Sequence, residues 1–208
     1  MQSQQVVIVD YGMGNLWSVQ SAFMHLGCEV MVSQNPDVVA NADVLVVPGV
    51  GSFRKAMQAL NDRGLSAAVV HAAKMRNAKT LGICLGLQLF AQMGQEDGES
   101  PGLGLIPGVV SRFSPEELGA LKIPHMGFNS VRFAVPGHLY AGFDEPADFY
   151  FVHSYRVLSP NNDAVLGLSD HGTTFMASYE RGNVFATQFH PEKSQTNGLR
   201  LLNNFLNA

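Results

Sequence analysis

Charge is scarce in this sequence. Only 14% of its 208 residues are Asp, Glu, Lys or Arg, and 13 basic residues against 17 acidic ones leave a net charge of −4. A chain that grips nucleic acid or an anionic membrane surface needs a basic stripe, so neither partner is expected. Cysteine is scarcer still. Cys28 and Cys84 are too few for a disulfide framework and point to a reducing, cytoplasmic setting. No stretch approaches the roughly 18–20 consecutive apolar residues of a membrane-spanning helix. The opening Met1-Gln2-Ser3-Gln4-Gln5 lacks a basic segment and runs straight into an apolar strand, so it does not read as a secretion signal. There is no internal repeat and no low-complexity segment. The third glycine that would turn Gly12 and Gly14 into a dinucleotide-binding fingerprint is also missing. No cofactor and no metal are expected.

What is present is apolar and periodic. Residues with hydrophobic side chains make up 46% of the chain, and its length suits one domain, 1–208, that buries about 70% of its unfolded surface. Val6-Val7-Ile8-Val9 and Asp43-Val44-Leu45-Val46-Val47 are apolar on both faces, as central strands of a parallel sheet are. Glu29–Ser33 reads as a short strand between them. Leu16, Val19, Phe23 and Leu26 fall at three- and four-residue steps, a helix stopped by Gly27. Residues 54–76 form a helical crossover with a break at Gly64. Beyond Leu105 the pattern changes to short strands with turns, over 109–113, 129–133, 149–157, 164–168, 174–179 and 184–189. A final amphipathic helix carries Leu199, Leu202, Phe205 and Leu206. The expected fold class is α/β, with a mostly parallel central sheet flanked by helices and antiparallel strands added to it.

The densest chemical signal is Thr80-Leu81-Gly82-Ile83-Cys84-Leu85-Gly86-Leu87-Gln88. A strand breaks at Cys84 into a helix predicted over 85–93, with glycines two residues to either side. That is the spacing of a nucleophile elbow, in which the flanking positions must be nearly free of side chain for strand and helix to close around a strained residue. The helix would point its first N–H groups at the sulfur. Alone, Cys84 reads first as a small buried hydrophobe, as most free cysteines are. Pro48-Gly49-Val50-Gly51-Ser52 follows the third strand and reaches the same sheet edge, either as a glycine-rich site loop or as a plain turn.

A cysteine nucleophile needs a base, and the base needs an orienting group. His25 and His71 fall in predicted helices, at surface or boundary positions. His138 and His171 sit beside glycines and read as turn residues. His125 and His153 have no carboxylate two to four residues away. His190 does. In Phe189-His190-Pro191-Glu192 an extended chain places residues 190 and 192 on one side, so Glu192 would accept the Nδ1 proton and leave Nε2 to face sulfur. Glu96, Asp97 and Glu99 lie in a polar, glycine-rich stretch and read as solvated charges.

The Cys84 elbow together with Phe189-His-Pro-Glu192 resembles the triad-type, class I glutamine amidotransferases, which implies a flavodoxin-like core. Asp10-Tyr-Gly-Met-Gly-Asn15, Pro48-Gly-Val-Gly51, Pro124-His-Met-Gly-Phe-Asn129, Phe151-Val-His-Ser-Tyr155 and His190-Pro-Glu-Lys-Ser194 look like the glutaminase subunits of imidazole glycerol phosphate synthases. The resemblance runs from the first strand to the last helix. It implies Cys84 as nucleophile, His190 as base and Glu192 as its orienting carboxylate. It also implies an oxyanion hole from the backbone N–H groups of Leu85 and Val50, the latter after a peptide rearrangement. Gly51, Gln88, Ser154 and Tyr155 would bind L-glutamine, with Glu96 near its amino group. Asn15, Phe128, Tyr150 and Lys193 would meet a (βα)₈ synthase subunit, which receives ammonia to make imidazole glycerol phosphate and an aminoimidazole carboxamide ribotide in histidine biosynthesis. The family commonly has tryptophan where Phe128 stands and threonine where Ser154 stands. The competing readings are a glutaminase serving another synthase, such as that for anthranilate, a cysteine hydrolase with a similar elbow, and a catalytically silent interaction subunit.

Overall fold

A computed structural model describes residues 4–143, 146–159 and 163–208, so the first three residues of the N-terminal segment lie outside it. In chain order the elements begin with β1 (Gln5–Val9), α1 (Leu16–His25), β2 (Glu29–Ser33), α2 (Pro36–Ala40) and β3 (Val44–Gly49). The crossover follows as α3 (Phe53–Asp62) and α4 (Leu65–Lys74), then β4 (Lys79–Cys84) and α5 (Leu85–Phe90). Next come β5 (Met93–Gly94), β6 (Ser100–Pro101), β7 (Val109–Arg112), α6 (Pro115–Leu118), β8 (His125–Val131), β9 (Ala147–His153) and β10 (Tyr155–Leu158). The chain closes with β11 (Val165–His171), β12 (Thr173–Arg181), β13 (Val184–Thr187), a 3₁₀ turn at Pro191–Lys193 and α7 (Gln195–Leu206).

Seven strands form the central sheet in the order β11-β12-β13-β4-β3-β1-β2. The five from β13 to β2 are mutually parallel, and β11 and β12 add an antiparallel edge. Alternation along the strands sorts the core into two layers. Val7, Val9, Leu45 and Val47 face α2, α3 and α4, burying Val39, Phe53, Leu60, Leu65 and Val69. Val6, Ile8, Val44 and Val46 face α1 and α7, burying Val19, Phe23, Leu201, Leu202 and Phe205. Each such side chain contributes roughly 1.5–3 kcal/mol of burial, which is why the sequence shows strands without a polar face.

The remaining strands form two smaller sheets, the mixed sheet β10-β7-β5-β6, in which β5 and β7 run parallel, and the antiparallel pair β8-β9. Several expectations change here. The helix after Cys84 ends at Phe90, not Met93, because the N–H groups of Leu103, Leu105 and Ile106 take the carbonyls of Leu89 and Phe90, and Met93–Gly94 then pairs with β7. The single strand expected over 149–157 is two strands in different sheets, broken at Ser154. β8 starts at His125, earlier than residue 129, since its whole length pairs with β9. Two short helices were not expected: α2, and α6, which begins with a capping box between Ser114 and Glu117.

Candidate active site

Three neighbouring parallel strands end at one edge of the sheet. β4 delivers Cys84, β3 on one side delivers the Pro48–Gly51 loop, and β13 on the other leads through Gln188 and Phe189 to His190. Carboxyl ends of adjacent parallel strands are where α/β folds place their sites.

Cys84 has φ 54° and ψ −105°, a strained backbone for a residue with a side chain. Both bracketing glycines are forced by close approach. A methyl group at Gly82 would lie 2.8 Å from the carbonyl carbon and oxygen of Gly86, and one at Gly86 would overlap the Val47 carbonyl oxygen of β3. Cys84 as a residue is 6% exposed. Its thiol faces the Val152 carbonyl at 3.9 Å, and the Gln188 amide Nε2 donates toward it from 3.8 Å.

His190 is buried, and its Nδ1 lies 2.8 Å from Glu192 Oε1, whose side chain is only 1% exposed. The pairing is the one expected, but its geometry differs. The chain leaves the sheet after Thr187, and a 3₁₀ turn at Pro191–Lys193 swings Glu192 onto the imidazole. Among the described residues Nε2 makes no hydrogen bond, which leaves it free for the sulfur. Burial works against the imidazolium, but the Cys84 sulfur and the Glu192 carboxylate outweigh it, and together they push the His190 pKa up to about 10. Ser194 ties His190 to β9, its hydroxyl donating to the His190 carbonyl and accepting the Tyr150 N–H, while His190 N–H donates to the Tyr150 carbonyl.

Cys84 and His190 line one cavity of about 320 Å³ together with Val50, Gly51, Leu85, Gln88, Glu96, Ser154 and Tyr155. Every residue the resemblance assigns to oxyanion or substrate contacts is therefore on its wall. Glu192 stands behind His190 and not on the wall. The reading of Glu96 as a solvated charge is corrected: its carboxylate accepts the Phe53 N–H at 2.8 Å, the first donor of α3, and burial raises its pKa against the pull of that bond. Gly51 has φ +105°, which a side chain would resist. The residues assigned to the partner lie elsewhere. Asn15 caps α1 and is exposed, as is Lys193, while Phe128 is 52% exposed and meets Tyr150 edge-on across the β8-β9 pair.

Three groups escaped the sequence reading. Tyr11 is buried and donates to the Pro48 carbonyl at 2.7 Å, so it holds the base of the Val50 loop. Burial first, and then the Cys84 charge, drives its pKa upward. Gln188 joins Gln88 to Cys84. The third is a histidine cluster. His171 is the last residue of β11, not a turn residue, and stacks on His125 at 4.3 Å. His125 Nδ1 meets His153 Nε2 at 2.9 Å, and His153 Nδ1 meets the Tyr155 carbonyl at 2.9 Å. Burial lowers the pKa of His125 to about 4 and of His153 to about 3, so both are neutral at working pH. Among the described residues no cluster is placed to hold a metal ion, and no helix is long and apolar enough to cross a membrane.

The family described as glutamine amidotransferase class-I matches residues 7–208. The Imidazole glycerol phosphate synthase subunit HisH of Moorella thermoacetica is 46% identical over 200 residues, covering 96% of this chain and 93% of its own. Its counterpart in Methylococcus capsulatus is 47% identical over 208 residues, covering 97% and 95%. Among solved structures, one titled "Structure of PurLQS from Thermotoga maritima" superposes with a TM-score of 0.78 at 18% identity, covering 99% of each chain. Another, titled "Crystal structure of glutamine amidotransferase", gives 0.75 at 20% identity, covering 97% of each. Similarity at that level speaks for the fold alone. The chain belongs to the class I glutamine amidotransferases and, within them, to the HisH family of imidazole glycerol phosphate synthase subunits.

Proposed function

We propose that this chain is one amidotransferase domain that hydrolyses L-glutamine to glutamate and ammonia through Cys84, His190 and Glu192. The ammonia passes to a docked (βα)₈ synthase subunit that forms imidazole glycerol phosphate and aminoimidazole carboxamide ribotide in histidine biosynthesis. The observation that carries the reading is the single cavity in which a strained, nearly buried cysteine shares a wall with a histidine backed by a buried carboxylate.

The proton inventory follows from the electrostatics. With its pKa raised beside sulfur and carboxylate, His190 holds the proton as imidazolium while the thiolate attacks the side-chain carbonyl carbon of glutamine. The oxyanion would face the N–H groups of Leu85 and, after a peptide rearrangement, of Val50, donors worth about 3–4 kcal/mol each in such sites. His190 then gives its proton to the amide nitrogen, ammonia departs, and a glutamyl thioester remains on Cys84. Water, losing a proton to His190, attacks the thioester, releases glutamate and restores the starting pair. Gln88 and Glu96, with the backbone at Gly51, Ser154 and Tyr155, would hold the amino-acid end of the substrate.

Ammonia released into water is protonated and lost, so the mouth of the site needs a covering partner. Val50, Met126 and Phe128 are large apolar side chains 43–63% exposed. Met126 pairs in register with the wall residue Val152, and Phe128 pairs with Tyr150. With Asn15 and Lys193 they would form the docking face. Both cysteines are free thiols, which suits the cytoplasm.

Cys84→Ala, reconstituted with the synthase subunit, is expected to lose glutamine-dependent synthesis while ammonia-dependent synthesis continues. Release of glutamate at the wild-type rate by the alanine variant would overturn the assignment.

A further inference from the structure

The orientations of two buried amides follow from one backbone carbonyl. The Tyr155 carbonyl can only accept, so the Gln88 atom 3.0 Å from it is the donor Nε2. That same Nε2 lies 3.1 Å from the side-chain amide of Gln188, which must therefore present its oxygen. The remaining end of the Gln188 amide, its –NH₂, is left facing Cys84 Sγ at 3.8 Å. Gln188 is fully buried, so no water is at hand to take over either bond. The far end is held too, because the Tyr155 carbonyl also accepts from His153, whose own acceptor Nε2 is met by His125.

We infer that Gln188 is a positioning residue for the glutaminase reaction: it donates a hydrogen bond to the Cys84 sulfur and locks the Gln88 amide with its oxygen left over for the substrate. The inference rests on the reading of Cys84 as nucleophile. Two bonds compete at that sulfur. The Val152 carbonyl can only accept and so favours the protonated thiol, whereas an N–H donor favours the thiolate. Gln188 is the amide that supplies such a donor to the sulfur. It does so without adding charge, which keeps the electrostatic pairing of Cys84 with His190 intact. Spending both N–H groups of Gln88 on Tyr155 and Gln188 leaves its Oε1 as the spare acceptor on the cavity wall, suited to an ammonium group.

The test measures iodoacetamide alkylation of Cys84 at pH 7.5 in the full chain carrying Cys28→Ser, comparing Gln188 with Gln188→Met, which keeps length and removes both bonds. Losing a donor to a charged acceptor should slow alkylation about tenfold. With the synthase subunit and glutamine, kcat for glutamate release should fall by a similar factor, and KM should rise as Gln88 loosens. A merely structural role would not change sulfur reactivity in a folded variant. Should Gln188→Met fail to fold, the wild-type chain decides by ¹⁵N NMR: the Gln188 side-chain amide protons should exchange slowly and shift when Cys84 is alkylated. Wild-type alkylation and turnover in a folded Gln188→Met, or an unshifted Gln188 amide in the wild-type chain, would overturn the inference. Its failure is distinct from failure of the site assignment, which Cys84→Ala reports separately.

Discussion

The closeness of Gly82 and Gly86 to neighbouring backbone gives a graded prediction. In Gly82→Ala the new methyl carbon would lie 2.8 Å from Gly86 C and O and 2.9 Å from Leu87 N, all backbone atoms of the first turn of α5. Ordinary contact begins near 3.4 Å, so β4 and α5 must part by about 0.6 Å. In Gly86→Ala the methyl falls on the Val47 carbonyl oxygen and within 3.0 Å of its carbon, in the buried middle of the sheet where no side chain can rotate away. Overpacking of this kind costs about 1–3 kcal/mol, with Gly86→Ala at or above the upper end. Both displacements are absorbed at Cys84. The second also drives Leu85 away from β3 and the Val50 loop, separating the two proposed oxyanion donors. Since an ångström of misplacement is worth about a hundredfold in rate, Gly82→Ala should lose about tenfold and Gly86→Ala about a hundredfold or more. Urea unfolding midpoints and glutamate release with the synthase subunit measure the two effects. Gly14→Ala, whose methyl would meet nothing closer than 3.6 Å, serves as the stability control and should stay within about 0.5 kcal/mol of wild type. If all three variants matched wild type in midpoint, and Gly82→Ala and Gly86→Ala also matched it in rate, the elbow argument would be refuted.

Two further outcomes follow from buried groups. Tyr11→Phe removes the hydroxyl that holds the Pro48 carbonyl and should cost about 1–2 kcal/mol in urea unfolding, together with a several-fold loss of glutamate release; an unchanged midpoint would mean the loop is held by other contacts. His153 sits near pKa 3 when folded against 6.5 in a model peptide, chiefly through burial. As pH falls below 6.5 the unfolded chain takes up a proton that the folded chain refuses. Stability is therefore fully present above pH 6.5 and declines toward pH 3, by on the order of 2–3 kcal/mol from pH 7 to 4.5 for this group. His153→Gln should flatten the decline, and equal slopes in the two proteins would refute the assignment.

Much of this molecule was legible from local spacing. Parallel strands covered on both faces announce themselves as unbroken apolar runs, and Gly82-Ile-Cys84-Leu-Gly86 carries its own steric demand, because a turn of that tightness tolerates no methyl at either glycine. His190 and Glu192 were readable as a pair for a similar reason, being two residues apart, although the 3₁₀ turn that joins them was not.

What the sequence by itself determined, then, was the main strands and helices of the parallel core and the candidates for the reactive residues, both written in periods of a few residues. Only the tertiary structure decided the rest. Strand order brings the ends of β3, β4 and β13 together, so that residues 50, 84 and 190 share one cavity. The break at Ser154 arises because β9 and β10 find partners in different sheets. Tyr11, Gln188 and the paired His125 and His153 take their roles from partners 28 to 104 residues away along the chain. No local pattern encodes such distances. They are set when apolar burial on both faces of the sheet leaves enclosed polar groups such as these with one another and with nearby carbonyls as their hydrogen-bond partners.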